Sequence, residues 1–127
     1  MGAMRRHVSA KALTLPEKES DLGYLAGLLD GPGSITWRDA ERRFWRVRVS
    51  TSEREVIDFL LTVGGTWSQR LPKDRSRFVY EWDLSRQEHV RDFLRAVAPC
   101  LKSHDKQARA REAVRRIEAR TGNGGPS

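Results

Sequence analysis

The residues best suited to chemistry lie where a short apolar helix should meet a strand. Residues 22–30 read as a helix of about three turns, and the sequence Gly31-Pro32-Gly33 resists its continuation, so the helix is predicted to end near Asp30. The Asp30 carboxylate would then sit at the negative end of the helix dipole, where it is disfavoured by a few tenths to about one kcal/mol. A local interaction must therefore compensate for this cost.

Apolar side chains surround this first helix, which implies burial on two sides rather than one. One side would pack on its own sheet, and the other would meet a partner. Ala26 and Gly27 carry almost no side chain, so a second helix can approach closely there. The residues predicted to form this contact are Tyr24, Leu25, Ala26, Gly27 and Leu28.

Arginines alternate with apolar residues in the segments that follow. Residues 34–39 and 44–50 show period two, as do residues 66–71 and 77–84, which predicts two strand pairs. One face of each pair is apolar and should meet a core, and Trp67, Phe78, Tyr80 and Trp82 are expected on that side of the second pair. On the other face of the first pair, no acidic residue lies among Thr36, Arg38, Arg46 and Arg48, which favours DNA contact over a solvated, salt-bridged surface. The predicted DNA-contacting residues are Ser34, Thr36, Arg38, Arg46, Arg48, Ser68, Arg70 and Arg77.

The predicted elements follow the order helix, two strands, helix, two strands and then helices. Ser20 is predicted to cap the first helix, and capping boxes beginning at Ser52 and Ser85 open the next two. This order predicts an α+β domain of αββαββα type, with a four-stranded antiparallel sheet, helices on one face and the other face free for a partner. The boundaries predicted are a flexible basic arm over residues 1–19, the domain over residues 20–120 and a disordered tail over residues 121–127.

Composition narrows the class of partner. The chain has 127 residues and a net charge of +7, which indicates one domain and favours a polyanionic ligand. A single cysteine excludes an internal disulfide and indicates a reducing, intracellular location. No apolar run approaches the roughly 20 residues needed to cross a bilayer, so no membrane partner is expected. The histidines show no metal-ligand spacing, and no nucleophile-base pairing or phosphate-binding loop is visible.

The segment LAGLLDGPG, residues 25–33, resembles the nine-letter motif of the LAGLIDADG homing endonucleases at most positions, and Ser34-Ile35 continue it. The element order over residues 22–117 is also similar to one LAGLIDADG domain. A single motif implies a homodimer whose first helices meet at a two-fold axis, bound to a pseudo-palindromic duplex of roughly 20 base pairs. A cytoplasmic, nucleoid-associated protein of a bacterial or phage-infected cell would fit this partner.

The resemblance also bears on Asp30 and on catalysis. In the family this motif aspartate accepts hydrogen bonds around the helix end, which implies the same structural role for Asp30, with a metal-binding role as the alternative. In the family, the penultimate motif position is an acid that holds Mg²⁺ for strand cleavage, and here that position is Pro32. Lys102 matches the family's active-site lysine and is a further candidate for DNA contact. The favoured interpretation is a sequence-specific DNA-binding protein, such as a transcriptional repressor, that has lost nuclease activity and needs no cofactor. Two alternatives stay open: an active Mg²⁺-dependent homing endonuclease using Asp30, and an RNA-binding intron maturase.

Overall fold

The described residues alternate helices with pairs of strands. In the computed structural model, residues 12–39, 43–71 and 78–120 are described with their side chains, and residues 5–8 and 121–124 by their backbone. Among these residues, no helix combines the length and the apolar character needed to cross a membrane. The elements in chain order are β1 (Arg5–Val8), α1 (Glu19–Asp30), β2 (Gly33–Asp39), β3 (Arg43–Thr51), α2 (Arg54–Val63), β4 (Thr66–Arg70), β5 (Val79–Leu84), α3 (Gln87–Val97), a one-turn 3₁₀ helix (Ala98–Cys100) and α4 (His104–Gly124).

The strands form one antiparallel sheet in the order β1-β4-β5-β3-β2. The predicted α+β class and the four-stranded arrangement of β2 to β5 are confirmed. β1 extends the sheet at the β4 edge, pairing Arg5–Val8 with 66–69. This strand is not predicted from the sequence, because four residues are too few to show a period of two.

One face of the sheet carries the hydrophobic core. Alternation along β3 and β5 points Val47, Val49, Trp82 and Leu84 to the same side, where all four are buried against the helices. The Trp82 ring nitrogen donates a hydrogen bond to the Gly64 carbonyl at 2.7 Å, so its polar group is satisfied inside the core. The helices therefore cover this face alone, and the opposite face holds the polar residues of the strands.

Aromatic side chains of the β4–β5 pair are less buried than predicted. Of the four aromatic residues expected to line it, Trp82 is fully buried, whereas Phe78 precedes β5 and is 40% exposed. Trp67 and Tyr80 are half-buried, and the Arg54 guanidinium covers their rings at 4.7 and 5.9 Å from the ring centres. A cation from α2 thus replaces apolar packing there.

The helices begin two residues or fewer from the predicted caps, but the capping residues differ. The N-cap positions are Lys18, Glu53 and Arg86, and none of these three caps its helix with a side-chain hydrogen bond. At α2 the Thr51 hydroxyl accepts the Glu53 N–H at 3.1 Å. The capping prediction was therefore wrong about which residues stand at the helix starts, although the helices themselves are where the apolar spacing predicts them.

Gln87, the first residue of α3, connects this helix to the sheet. Its side-chain carbonyl accepts the Trp45 N–H at 3.0 Å, and its amide donates to the Trp45 carbonyl at 2.8 Å. The side chain thereby makes the two hydrogen bonds to the β3 backbone that a further residue of β5 would make. We expect Gln87→Ala to lower the free energy of unfolding by about 1–3 kcal/mol, because it leaves a buried backbone amide unpaired. Chemical denaturation should show this loss, with exposed Glu88→Ala as a control that stays within about 0.5 kcal/mol of wild type.

Candidate nucleic-acid interface

Asp30 ends α1 and joins it to the start of α4. Its Oδ2 accepts the Lys102 N–H at 2.8 Å, and its Oδ1 accepts the Ser103 N–H at 3.1 Å. These two residues immediately precede α4, so the carboxylate that is disfavoured by the dipole of α1 lies close to the positive end of another helix. The expectation that Asp30 accepts hydrogen bonds at the helix end is met, and both of its oxygens are engaged.

Lys106 completes the connection in the opposite direction. Its Nζ donates to the carbonyl oxygens of Leu29 at 2.5 Å, Gly33 at 2.9 Å and Asp30 at 3.0 Å, with the Gly31 carbonyl at 3.4 Å. The ammonium therefore caps the carbonyl end of α1. The resemblance had pointed to Lys102, but the lysine whose side chain contacts the motif turn lies one helical turn later.

The motif turn offers few ligands for a divalent ion. Pro32 is exposed between α1 and β2 and has no side-chain oxygen. Gly33 packs tightly, since a Cβ there would lie 2.8 Å from the Leu29 Cα. The Asp30 oxygens are hydrogen-bonded to amides, and the Lys106 ammonium fills the cradle of carbonyls. Within the described ranges, no three His, Cys, Asp or Glu residues are grouped closely enough to hold a metal. The residues at this turn do not fit Mg²⁺.

The predicted DNA-contacting side chains share the face of the sheet that the helices leave open. The register pairs Thr36 with Arg46 and Ser34 with Arg48, and alternation from these pairs assigns the rest. We call this surface the open face. Arg77 lies outside the described residues, and Lys102 lies at the start of α4 rather than on the sheet. The described members of the predicted set on the open face are Ser34, Thr36, Arg38, Arg46, Arg48, Ser68 and Arg70.

Two carboxylates of β5 lie among these arginines, so the face is salt-bridged even though the first strand pair contributes no acidic residue to it. Arg48 donates to Asp83 from Nε at 2.8 Å and from Nη2 at 3.4 Å. Glu81 lies 3.8 Å from Arg48 Nη1 and 3.5 Å from Arg70 Nη2. Once Trp82 is assigned to the core, period two in β5 requires Glu81 and Asp83 to face the other way. The sequence therefore predicts that these two carboxylates lie on the open face.

The ion pairs leave the arginines unequal. The hydrogen bond that Arg48 donates to the Asp83 carboxylate raises the pKa of Arg48 above its usual value. Arg46 Nε lies 3.7 Å from the nearest Asp83 oxygen, too far for a hydrogen bond, and burial followed by the charge of Arg48 lowers the pKa of Arg46. Four arginines face two carboxylates on the described part of the open face, which keeps an excess of positive charge.

The exposed side of α1 is narrower than predicted. Leu25 and Ala26 are only 1% exposed and pack in the core of this chain, so they have almost no surface left for contact with a partner. Gly27 is exposed, and Tyr24 is 45% exposed, with its ring edge-on to Phe59. An all-round apolar helix does not reveal which side its own sheet takes, and here the small Ala26 serves close packing inside the subunit.

The element order, the antiparallel sheet and the helix-to-strand motif turn define the fold of the LAGLIDADG homing endonucleases. The homing endonuclease I-CvuI, in complex with the I-CreI target and with its DNA not cleaved in 2 mM Mg, superposes with a TM-score of 0.65 at 19% identity, over 79% of this chain and 67% of that one. The meganuclease I-SmaMI, bound to uncleavable DNA, gives a TM-score of 0.61 at 12% identity, over 87% of this chain and 40% of that one. Comparison of the sequence with protein-family models and with curated proteins finds no significant match.

The solved relatives are longer than this chain. It spans about two thirds of I-CvuI and two fifths of I-SmaMI. I-SmaMI has also been crystallised as a LAGLIDADG homing endonuclease bound to cleaved DNA, with a TM-score of 0.60 at 12% identity. At these identities the comparisons establish the fold, and the function must be argued from the residues of this chain.

Proposed function

We propose that this chain is a homodimeric, sequence-specific binder of double-stranded DNA that has lost nuclease activity and acts by occupying its site, as a transcriptional repressor does. The observation that carries the proposal is the open face, where arginines and hydroxyls lie on a sheet that has its helices on the other side. Such a surface, with excess positive charge, suits a duplex whose backbone is negative and whose base edges accept hydrogen bonds.

The geometry of the open face supports DNA over other polyanions. An antiparallel ribbon fits the major groove, which is about 12 Å wide, and β2 and β3 form such a ribbon over Gly33–Asp39 and Arg43–Thr51. Arginine donors along it match both phosphates and guanine edges. The solved structures named above, which share this fold, were crystallised with a DNA target and with uncleavable DNA. We propose the same class of ligand here.

The glycines of α1 support a dimer. A glycine inside a helix costs about 1 kcal/mol relative to alanine. Gly23 and Gly27 occupy exposed positions where a Cβ would meet nothing within 4 Å, so the subunit alone gives no reason for either glycine. Close approach of a second α1 would give that reason, because the absence of a side chain on glycine lets two helix backbones approach at short distance. Tyr24 and Leu28 would flank this contact.

The motif turn supports binding without cleavage. Metal-assisted hydrolysis of a phosphodiester needs carboxylate oxygens free to hold the ion. At this turn the Asp30 oxygens accept the Lys102 and Ser103 amides, Pro32 supplies no side-chain oxygen and the Lys106 ammonium already satisfies the carbonyls. A two-fold axis repeats this arrangement and adds no new type of ligand. The proposed dimer therefore keeps a duplex-binding surface without the metal centre.

Selection of bound sequences from random duplex DNA tests this proposal. We expect a palindromic consensus of roughly 20 base pairs, since each half-site covers about one helical turn. If each subunit neutralises about four phosphates, log affinity should fall with log salt at a slope of about −7. A slope near zero, or selection of no sequence, would overturn the proposal.

Cleavage and RNA binding are the rival outcomes. The selected duplex should remain intact during incubation with the protein and Mg²⁺ or Mn²⁺, whereas a specific double-strand cut would establish an active endonuclease. Structured RNA should compete with the duplex only at high excess. Stronger competition by RNA than by unlabelled duplex would favour the maturase alternative.

A further inference from the structure

One hydrogen-bond donor on the helix side of the sheet is buried without a partner. The indole Nε1 of Trp45 is inaccessible to solvent and makes no hydrogen bond among the described residues, and Trp45 as a whole is 6% exposed. Trp82 shows the usual arrangement, since its Nε1 donates to the Gly64 carbonyl. Buried donors without an acceptor are rare, because they lose their hydration without compensation. The Trp45 nitrogen therefore indicates a place where an acceptor from outside the chain binds.

Trp45 lines a groove between β3 and α4. The volume of this groove is about 680 Å³, which lies within the range of small-molecule sites in proteins. Its other lining residues all come from the first part of α4, and they are Asp105, Lys106, Ala108, Arg109 and Glu112. A duplex bound to the open face would lie on the other side of the sheet. The groove therefore stays accessible to a second, smaller ligand.

The charges around the groove favour an anion. Arg109 is exposed and has no ion pair or hydrogen bond among the described residues, although Asp105 lies at the i, i+4 spacing from it. The Glu112 carboxylate already has two arginine partners, so its charge is compensated. Lys106 adds a further positive charge, with its ammonium held by backbone carbonyls. The uncommitted guanidinium of Arg109 can thus pair with a negative group of a ligand.

Aromatic surface adjoins the groove. Trp37 pairs with Trp45 across β2 and β3, and their ring centres are 5.5 Å apart. Trp37 is nevertheless 37% exposed, so part of a large apolar ring remains in contact with solvent beside the groove. Tryptophan rings pack well against other aromatic rings in offset or edge-on arrangements. The ligand that fits this surroundings best has a flat aromatic body as well as a negative charge.

We propose that this groove binds a small aromatic carboxylate. The carboxylate oxygens accept hydrogen bonds from the Trp45 Nε1–H and from the Arg109 guanidinium, while the ring of the ligand packs against the indole. Because Nε1 lies below the surface of the groove, a neighbouring side chain moves aside as the ligand enters. The inference goes beyond the proposed function and does not depend on it, since the groove and the open face lie on opposite sides of the sheet.

The first test follows the indole N–H groups by nuclear magnetic resonance. The full-length, isotope-labelled protein is titrated with cinnamate, an aromatic ring with one carboxylate, and Trp45→Phe identifies the Trp45 signal by its loss. We expect this signal to move downfield, as an N–H does when it donates to a charged oxygen, and to move further than the signals of Trp67 and Trp82. A Trp45 signal that stays in place at saturating cinnamate would show that water alone serves the indole N–H and would overturn the site.

The second test measures cinnamate affinity by calorimetric titration. Arg109→Gln should weaken binding by about tenfold or more, the loss expected for a charge-assisted hydrogen bond. Trp45→Phe keeps an aromatic ring without the donor and should weaken binding by about two- to tenfold. Arg111→Gln is the matched control, because Arg111 is an exposed arginine of α4 outside this groove. Its affinity should stay within about twofold of wild type, and thermal unfolding should show that all variants are folded.

The outcomes separate a specific site from attraction to net charge. Cinnamamide, which has the same ring and no charge, should bind at least about tenfold more weakly than cinnamate. Equal binding of the two compounds, or equal weakening by Arg109→Gln and Arg111→Gln, would overturn the site. Absence of saturable cinnamate binding to the folded wild type would overturn it as well, and the proposed DNA binding would stand. Failure of the protein to select any duplex would instead remove the proposed function and leave the groove as the tests find it.

Discussion

A Gly27→Glu variant should fold as well as wild type but fail to form the proposed dimer. As a monomer it should bind the selected duplex at least about a hundredfold more weakly than wild type. Gly27 lies on the exposed side of α1, and a Cβ there meets nothing within 4 Å. Glutamate is a better helix former than glycine by roughly 0.5–1 kcal/mol, so the subunit is not expected to lose stability. Between two α1 helices, however, the same side chain would bury an unpaired charge beside its own copy.

Loss of the dimer removes half of the DNA contacts, which explains the size of the expected effect. Sedimentation equilibrium measures the oligomeric state, thermal unfolding measures the fold, and titration of a fluorescent duplex measures affinity. Ala108→Glu is the matched control, because Ala108 is an exposed small residue of another helix and its substitution adds the same charge. A dimeric Gly27→Glu protein with wild-type affinity would contradict the proposed contact through α1.

Sequence patterns predicted the fold well because each element carries its own period. The arginine-bearing strands alternate so regularly that Thr36 and Arg46 could be assigned to one face before their register was known. The position of Glu81 and Asp83 on that face followed from the same rule, but it emerges only when the polar residues of β5 are assigned together with the aromatic ones. Strand β1 could not be predicted, because its pairing depends on β4, a segment far along the chain.

The candidate site was predicted less completely because its contacts join distant parts of the chain. The helix dipole implied that the Asp30 carboxylate needs donors, but the donors lie 72 and 73 residues away at the start of α4. Likewise, no local pattern marks Lys106 as the cap of α1. Which side of α1 is buried also depends on tertiary packing, so Leu25 and Ala26 could not be separated from Gly27 by sequence alone.

Removal of the Asp30 carboxylate should destabilise the fold more than any surface substitution. Asp30→Ala leaves the Lys102 and Ser103 amides without their charged acceptor, and hydrogen bonds to charged groups contribute about 1.5–3 kcal/mol each. We expect a loss of about 2–4 kcal/mol in the free energy of unfolding. For a domain of this size the melting temperature should fall by about 8–15 °C. Asp105→Ala, at an exposed position in the first turn of α4, should change the melting temperature little.

The partner residue makes the same connection testable from the other side. Lys106→Met keeps the aliphatic stem and removes the ammonium from the α1 carbonyls. Because both side chains hold the same two helix ends together, the double variant should lose less stability than the two single losses combined, with a coupling of about 0.5–3 kcal/mol. Independent losses would show that the two side chains act separately.

If Asp30 instead held a metal, Mg²⁺ would raise the melting temperature of the wild type and leave that of Asp30→Ala unchanged. We expect no such rise, since both oxygens of the carboxylate already accept hydrogen bonds from the Lys102 and Ser103 amides.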